Sequence, residues 1–388
     1  MKEIISKKVQ KIKPSGIRQF FDLVLGMKEV ISLGVGEPDF VTPWPIREVG
    51  IFSLEEGFTT YTSNKGLYKL RLTIARYLKN RYNLEYSPED EILITVGVSE
   101  AFDLVLRAIL NPQDKVLIPQ PSYVSYEPLT ELCGAIPIYI DTKDNDFKLT
   151  PEAIEKTVDN KTKAIILNYP NNPTGVSYRK KELEAIKKVI LKHKLICISD
   201  EIYSDLTYDF EHIPFATLSK AKQYTVYLNG FSKSYAMTGW RVGYACGPKE
   251  IISAMTKIHQ YAIMCVPTIS QMAACEALHS ARHLVEQMKQ VYKRRREFIV
   301  KELNRIGLKC LKPDGAFYVF ASIKDTGLNS LDFAQRLLKE KKVAVVPGTA
   351  FGRSGEGYIR ISYTCSFENL KEAIIRIEDF LRNRKEKK

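Results

Sequence analysis

Four short segments, each at the end of an apolar run or forming one, hold the residue types that can do chemistry. They are Asn168–Gly175 (NYPNNPTG), Ser199–Ser204 (SDEIYS), Asn229–Gly243 (NGFSKSYAMTGWRVG) and Gly357–Ser362 (GYIRIS). Lys233 sits between two serines just past the apolar run Tyr224–Leu228, among small residues that let a bulky ligand approach. A lysine so placed can form an imine with an aldehyde cofactor. Asp200 ends another apolar run and can bring a carboxylate to the same pocket, where it would keep a pyridine nitrogen protonated. Arg241, eight residues after Lys233, can offer a bidentate partner to a phosphate. Ser99 opens a helix after Gly97, and a helix N-terminus is a ready anion site. Singly, each has a plainer reading: a surface lysine, a turn built of Asn, Pro and Gly, an aspartate capping the next helix. The combination favours one pocket holding an aldehyde, a ring nitrogen and a phosphate.

Such a pocket needs elements that bring distant segments together. The spacing predicts strands at Glu91–Gly97, Lys115–Pro119, Ile136–Asp141, Lys163–Asn168, Leu195–Asp200, Tyr224–Leu228 and Arg241–Cys246. Helices are expected at Ser99–Leu110, Arg179–Lys192 and Lys249–Tyr261. Continuous apolar runs alternating with amphipathic helices point to an α/β fold, a mostly parallel sheet sandwiched by helices. Ligands of such sheets bind at the carboxyl ends of the strands, where these residues cluster. Beyond Ala281 the texture changes to a long charged helix (282–305), strands at Gly315–Ile323 and Gly357–Tyr363, the segment Val343–Pro347, and helices at Ser330–Lys341 and Phe367–Lys385. This suggests a large domain over 41–284 and a small α+β domain made of 1–40 and 285–388.

Composition sets the outer bounds. The 388 residues are 45% hydrophobic and 27% charged, the balance of a globular chain of two ordinary domains. No apolar stretch approaches the ~20 residues that span a bilayer, and the basic N-terminus lacks the apolar centre of a secretory signal, so the expected location is cytoplasmic. The seven cysteines form no CxxC pair and read as reduced, mostly buried thiols. His279 and His283 have a helical metal-pair spacing with no further ligands around them, so no metal is expected. The net charge of +13 sits largely in Lys7–Lys13, Lys293–Arg296 and Arg382–Lys388, short local runs that read as solvated faces rather than a nucleic-acid surface.

The motifs SKSYAMTGWRVGY and YPNNPTG, supported by SDEIY and YIRIS, resemble those of class I, fold type I aminotransferases, over nearly the whole chain from Leu33 onward. The resemblance implies pyridoxal 5′-phosphate held on Lys233, which also moves the proton at the substrate α-carbon. It implies Asp200 as partner of the pyridinium nitrogen, Tyr203 and Asn172 as donors to the phenolic oxygen, and Tyr123 stacked on the ring. Val98, Ser99, Ser232 and Arg241 would form the phosphate cup, with Tyr61 reaching over from a second subunit of a homodimer. Arg360 would take the substrate carboxylate, assisted by Asn172 and the backbone of Gly36. Many relatives carry a serine three residues before the lysine; Gly230 stands there instead, which implies one phosphate hydrogen bond missing or replaced by water.

The resemblance implies a ping-pong exchange between an L-amino acid and a 2-oxo acid such as 2-oxoglutarate. No arginine lies between Arg241 and Arg282, and Ser99 occupies a position where some dicarboxylate-specific relatives have lysine, so an aspartate-dedicated enzyme is not expected. The N-terminal PSGIRQFFDLVLGMKEVISLG is similar to that of archaeal aromatic aminotransferases, with Ile17 and Phe20 as pocket lids, and an aromatic or broad-range donor is the expectation. Segments such as LCGAIPIYIDTKDNDFKL also resemble aminotransferases for N-acyl-LL-diaminopimelate. A carbon–sulfur β-lyase of the same fold is the rival reaction. A cofactor-sensing transcription regulator would need a DNA-binding module ahead of Leu33, and a nicotinamide site would rest on Gly34 and Gly36 alone.

Overall fold

The computed structural model describes residues 4–14, 16, 27 and 29–385. Its centre is a seven-stranded sheet in the order β2-β8-β7-β6-β5-β3-β4. The strands are β2 (Ile92–Thr95), β3 (Lys115–Gln120), β4 (Ile136–Asp141), β5 (Thr162–Asn168), β6 (Ile196–Asp200), β7 (Thr225–Gly230) and β8 (Gly243–Cys246). Strands β3 to β7 pair in parallel, and β8 runs antiparallel to both its neighbours, β2 and β7. The expected mostly parallel α/β sheet is therefore present.

Alternation along each strand sends successive side chains to opposite faces, and both faces are covered. Val116 and Ile118 of β3 and Ala164 and Ile166 of β5 pack into one apolar layer with Phe102, Val105, Ile252 and Met255. Leu117, Ile165 and Leu167 pack into the opposite layer with Leu183, Ile186, Ile190 and Phe215. Each buried Leu or Ile contributes roughly 1.5–3 kcal/mol, so a strand that is apolar on both sides is locked between its helices. That locking makes the strand ends rigid anchor points for a site.

The helices Gly97–Ile109, Lys180–Lys192 and Lys249–Ala262 lie close to their expected positions. Among the helices not expected from the spacing, the longest are Trp44–Glu55, Tyr68–Tyr82 and Thr268–His279. Thr268–His279 carries small residues all round, and Ala273, Ala274, Cys275 and Ala277 are buried. It packs against both of the other two helices. A helix buried on several sides loses the one-faced pattern by which helices are recognised.

The C-terminal portion holds a three-stranded antiparallel sheet, β11 (Val346–Pro347), β12 (Tyr358–Ser362) and β9 (Tyr318–Ser322), with β12 in the middle. Val343–Pro347 is split between two short strands, because β10 (Val343–Ala344) pairs in parallel with β1 (Ile31–Ser32). The N-terminal segment is stitched on further where Ser362 N–H donates to the Leu33 carbonyl at 2.7 Å. No helix among the described residues is long and apolar enough to cross a membrane.

Candidate active site

A cavity of about 880 Å³ opens at the carboxyl ends of the parallel strands. Its walls come from every part of the chain, and they include Gly36, Val98, Ser99, Tyr123, Asn172, Asp200, Tyr203, Ser232, Lys233, Arg241 and Arg360. The structure thus brings together eleven of the fourteen residues expected at the site. Tyr61 is apart from this wall and 80% exposed. Ile17, with Phe20, lies outside the described residues.

Lys233 follows β7, and its Nζ donates to the Gly36 carbonyl at 2.6 Å. Loss of hydration lowers its pKa to about 8, against an opposing pull from Glu37. An amine in that range is neutral often enough near physiological pH to attack a carbonyl. Asp200, the last residue of β6, is buried; its Oδ2 accepts from Tyr126 Oη at 2.7 Å. Burial raises its pKa to about 6, while the hydrogen bonds from Tyr126 and the Ile202 N–H pull the other way. A buried carboxylate of this kind is best satisfied by a cation facing it across the cavity.

The anion end of the cavity depends on three glycines. The helix begins at Gly97, two residues before Ser99, with Val96 as its N-cap, so Ser99 lies inside the first turn rather than opening it. The Glu100 carboxylate accepts the Val96 N–H, and its other oxygen is 2.7 Å from Nδ1 of the buried His259. Gly97 has φ +71°, and a Cβ there would lie 2.6 Å from Arg241 Nη2. A Cβ on Gly243 would lie 2.8 Å from the Val98 nitrogen. Gly230 faces Gly243 across the β7–β8 pair, and a Cβ on it would lie 2.9 Å from the Gly243 Cα. A serine at 230 would therefore press into the neighbouring strand. Arg241 was expected within a strand; it instead precedes β8 in a left-handed conformation (φ +52°), with Nη1 donating to the Thr238 carbonyl at 2.9 Å. Because a strand backbone would point the side chain straight out of one sheet face, this turn is what aims the guanidinium at the helix start.

Arg360 sits on the central strand β12 and is 1% exposed, which rules out a surface arginine on an edge. Its Nη1 donates to Asn172 Oδ1 at 2.9 Å and its Nη2 to the Gly34 carbonyl at 2.5 Å. Its Nε is buried with no hydrogen-bond partner among the described residues, so the guanidinium keeps a donor free with respect to them. Asn172 is held by the turn that precedes it, where Asn168 Oδ1 accepts the Asn172 N–H at 3.0 Å.

Among the wall residues that sequence reasoning missed, Tyr126, Tyr318 and Glu37 bear most directly on the chemistry. Tyr126 has a signal, since it lies three residues after Tyr123 on the turn into a helix. Tyr318 lies within a strand that was expected, but nothing local marks its inward direction. Its Oη is 2.8 Å from Tyr203 Oη, and a Cβ on Gly36 would come within 2.5 Å of it. Glu37 adjoins Gly36 and is the main group opposing the loss of charge on Lys233.

Comparison with known proteins identifies the family. The model of the family described as aminotransferase class I and II matches residues 28–377. An aspartate aminotransferase of Pyrococcus abyssi is 46% identical over 385 residues, covering 98% of this chain and 99% of its own. The aromatic-amino-acid aminotransferase 2 of Thermococcus litoralis is 42% identical, with coverage of 98% and 99%. The crystal structure of an aromatic aminotransferase from Pyrococcus horikoshii OT3 superposes with a TM-score of 0.90 at 44% identity, covering 95% of this chain and 99% of that one. With a family match over most of its length and relatives of the same length, the chain belongs to the class I and II aminotransferases and is an aminotransferase.

Proposed function

We propose that this aminotransferase uses pyridoxal 5′-phosphate to move the amino group of an aromatic or broad range of L-amino acids to a 2-oxo acid such as 2-oxoglutarate, in a ping-pong exchange. The observation that carries the reading is one cavity lined by a partly desolvated lysine, a buried aspartate and two arginines set on different elements. The donor set fits the group. The Lys233 amine suits its aldehyde, and the raised Asp200 carboxyl suits a ring nitrogen that carries a proton. The glycine-lined helix start with Ser99, Ser232 and Arg241 suits a phosphate. When bound, the cofactor supplies an electron sink for the substrate α-carbon.

The chain's own residues do the rest. With the group in place, Lys233 Nζ would take up and hold the proton of the substrate α-carbon, a task suited to an amine whose pKa is near 8. Asp200 would keep the ring nitrogen charged, and the Tyr126 hydroxyl holds the carboxylate in place. Arg360 binds the substrate carboxylate through its fork and fixes the α-carbon beside Lys233. Tyr123 forms the stacking wall, and Tyr203 and Asn172 stand as donors to the phenolic oxygen.

Three cationic side chains line the described wall, Lys233, Arg241 and Arg360, and each has a role above. None remains for a second substrate carboxylate, which supports an aromatic or neutral donor. The relatives named for aspartate and for aromatic substrates divide on this point, so a direct test is needed. Purified enzyme is mixed with single amino acids without oxo acid, and its visible absorbance is followed. Loss of the band with tyrosine or phenylalanine and its return with 2-oxoglutarate is the expected result. Equal rates for aspartate and tyrosine, or none for tyrosine, would overturn the donor class. Pyruvate release from cysteine-type compounds without any oxo acid would turn the reading to the β-lyase.

The working unit we propose is a homodimer. The helix Trp44–Glu55 leaves Trp44, Ile51, Phe52 and Leu54 exposed, and Tyr61, Ile263 and Met264 are exposed as well. Segment 60–64 is tied to the latter pair by Asn64 Nδ2, which donates to the Met264 carbonyl at 2.9 Å. An apolar face of this kind marks an association surface, and it carries Tyr61, the residue expected to complete a partner's cup. All seven cysteines are free, which suits the reducing cytoplasm.

A further inference from the structure

We infer that Tyr318 is a positioning residue that strengthens Tyr203 as a donor and ties that strength to the occupancy of Arg360. The inference rests on the cofactor reading given above. Tyr318 Oη and Tyr203 Oη are 2.8 Å apart, both residues are buried, and the rings meet edge to face at 5.8 Å. The Arg360 guanidinium lies over the face of the Tyr318 ring, 4.4 Å from its centroid. Strand pairing holds this arrangement, because Arg360 on β12 is opposite Phe320 on β9, two residues from Tyr318. Gly36 leaves the space in which the Tyr318 hydroxyl sits.

Direction follows from charge. A cation over a phenol ring draws electron density from it and makes its hydroxyl the better donor. Tyr318 therefore donates and the Tyr203 oxygen accepts. A hydroxyl that accepts one hydrogen bond gives its own proton more strongly to the next acceptor. Tyr203 then directs its proton into the cavity, toward the place where a phenolic oxygen would lie. When a carboxylate pairs with Arg360, the guanidinium's pull on the Tyr318 ring weakens, and Tyr203 becomes a poorer donor. The chain Arg360–Tyr318–Tyr203 thus runs in parallel with the direct Arg360–Asn172 bond. The other ionisable groups facing the tyrosine pair are Tyr123 and Glu37; those facing Lys233 are Glu37, Arg360, Arg241 and Asp200.

The test uses holoenzyme reconstituted with pyridoxal 5′-phosphate and reads the pH midpoint of its visible absorbance, with and without 3-phenylpropionate, a carboxylate that cannot react. A weaker Tyr203 leaves more charge on the phenolic oxygen, which holds the neighbouring proton to higher pH. Tyr318→Phe should raise the midpoint by about half to one pH unit, the size of one ordinary hydrogen bond, and shrink the shift caused by phenylpropionate. In a Tyr203→Phe background, the same change should do nothing further. An unmoved midpoint in Y318F, or an equal shift in the Y203F background, overturns the inference. If Y318F does not retain cofactor, 3-fluorotyrosine at position 318 keeps the shape while making the phenol a stronger donor. The midpoint must then fall, and a midpoint that stays or rises overturns the inference. A wild-type chain that shows no band would refute the cofactor reading itself, and a wild-type band with unmoved variants would refute the role of Tyr318 alone.

Discussion

The anion cup can be tested at a residue that has no side chain. Gly97 lies at φ +71°, and an alanine forced into that left-handed region costs about 1–2 kcal/mol. The added Cβ would also lie 2.6 Å from Arg241 Nη2 and 3.2 Å from its Cζ. The first distance is shorter than atoms tolerate and the second is tight, so the guanidinium must move. Its Nη1 is held by the Thr238 carbonyl at 2.9 Å, and moving outward breaks that bond and carries the charge away from the helix start. Losing one hydrogen bond to a charged group is worth about 1.5–3 kcal/mol. Gly97→Ala should therefore raise the Kd for pyridoxal 5′-phosphate by about 10- to 100-fold. Equilibrium titration of the apoenzyme measures this directly. Gly307→Ala provides the control, since Gly307 has φ +93° and a methyl group on it would meet nothing within 4 Å. It should lower the melting temperature and leave the cofactor Kd unchanged. If G97A binds as tightly as wild type, or G307A weakens binding equally, the helix start is not the phosphate site.

Three other outcomes are expected. The Lys233 amine titrates near 8 because burial disfavours its charge, so capture of the aldehyde by apoenzyme should accelerate about tenfold per pH unit up to pH ~8 and then level off. A rate that keeps rising toward the ordinary lysine value of about 10.4 would contradict this. Burial holds Asp200 near 6, against about 3.9 unfolded, so between these values the folded chain keeps a proton that the unfolded chain has lost. Stability therefore falls as pH rises through that window, and apo Asp200→Asn should match wild type near pH 4 yet melt at a higher temperature above pH 6. A difference that stays flat from pH 4 to 7 would refute the argument, and activity should be lost in this variant throughout. Tyr61→Ala removes a side chain that is 80% exposed in the protomer, so a several-fold weaker cofactor Kd with an unchanged melting temperature is expected if the partner uses it. An unchanged Kd would remove Tyr61 from the site.

Much of this protein is written in short-range patterns. The runs Lys163–Asn168 and Leu195–Asp200 declare buried strands because a strand covered on both faces must be largely apolar along its length. Asp200, Lys233 and the asparagine turn follow such runs, so their place at the strand ends is implied by the same local logic. Charge and residue type then tell what those groups can do. None of this says how far one group lies from another. Arg360 meets the Gly34 carbonyl across 326 positions of the chain, and only the stitching of β1 to β10 and of Leu33 to Ser362 brings them together. The alignment of Tyr318 under Arg360 and against Tyr203 depends on strand register, and a slip by one residue would turn its ring to the other face. Gly97, Gly230 and Gly243 look like ordinary glycines until the helix start is seen resting on the strand backbone, where a methyl group would not fit. Types and local periods are properties of neighbouring residues and survive in one dimension; close approach, burial and the coupling of charges belong to packing and arise only when the chain has closed.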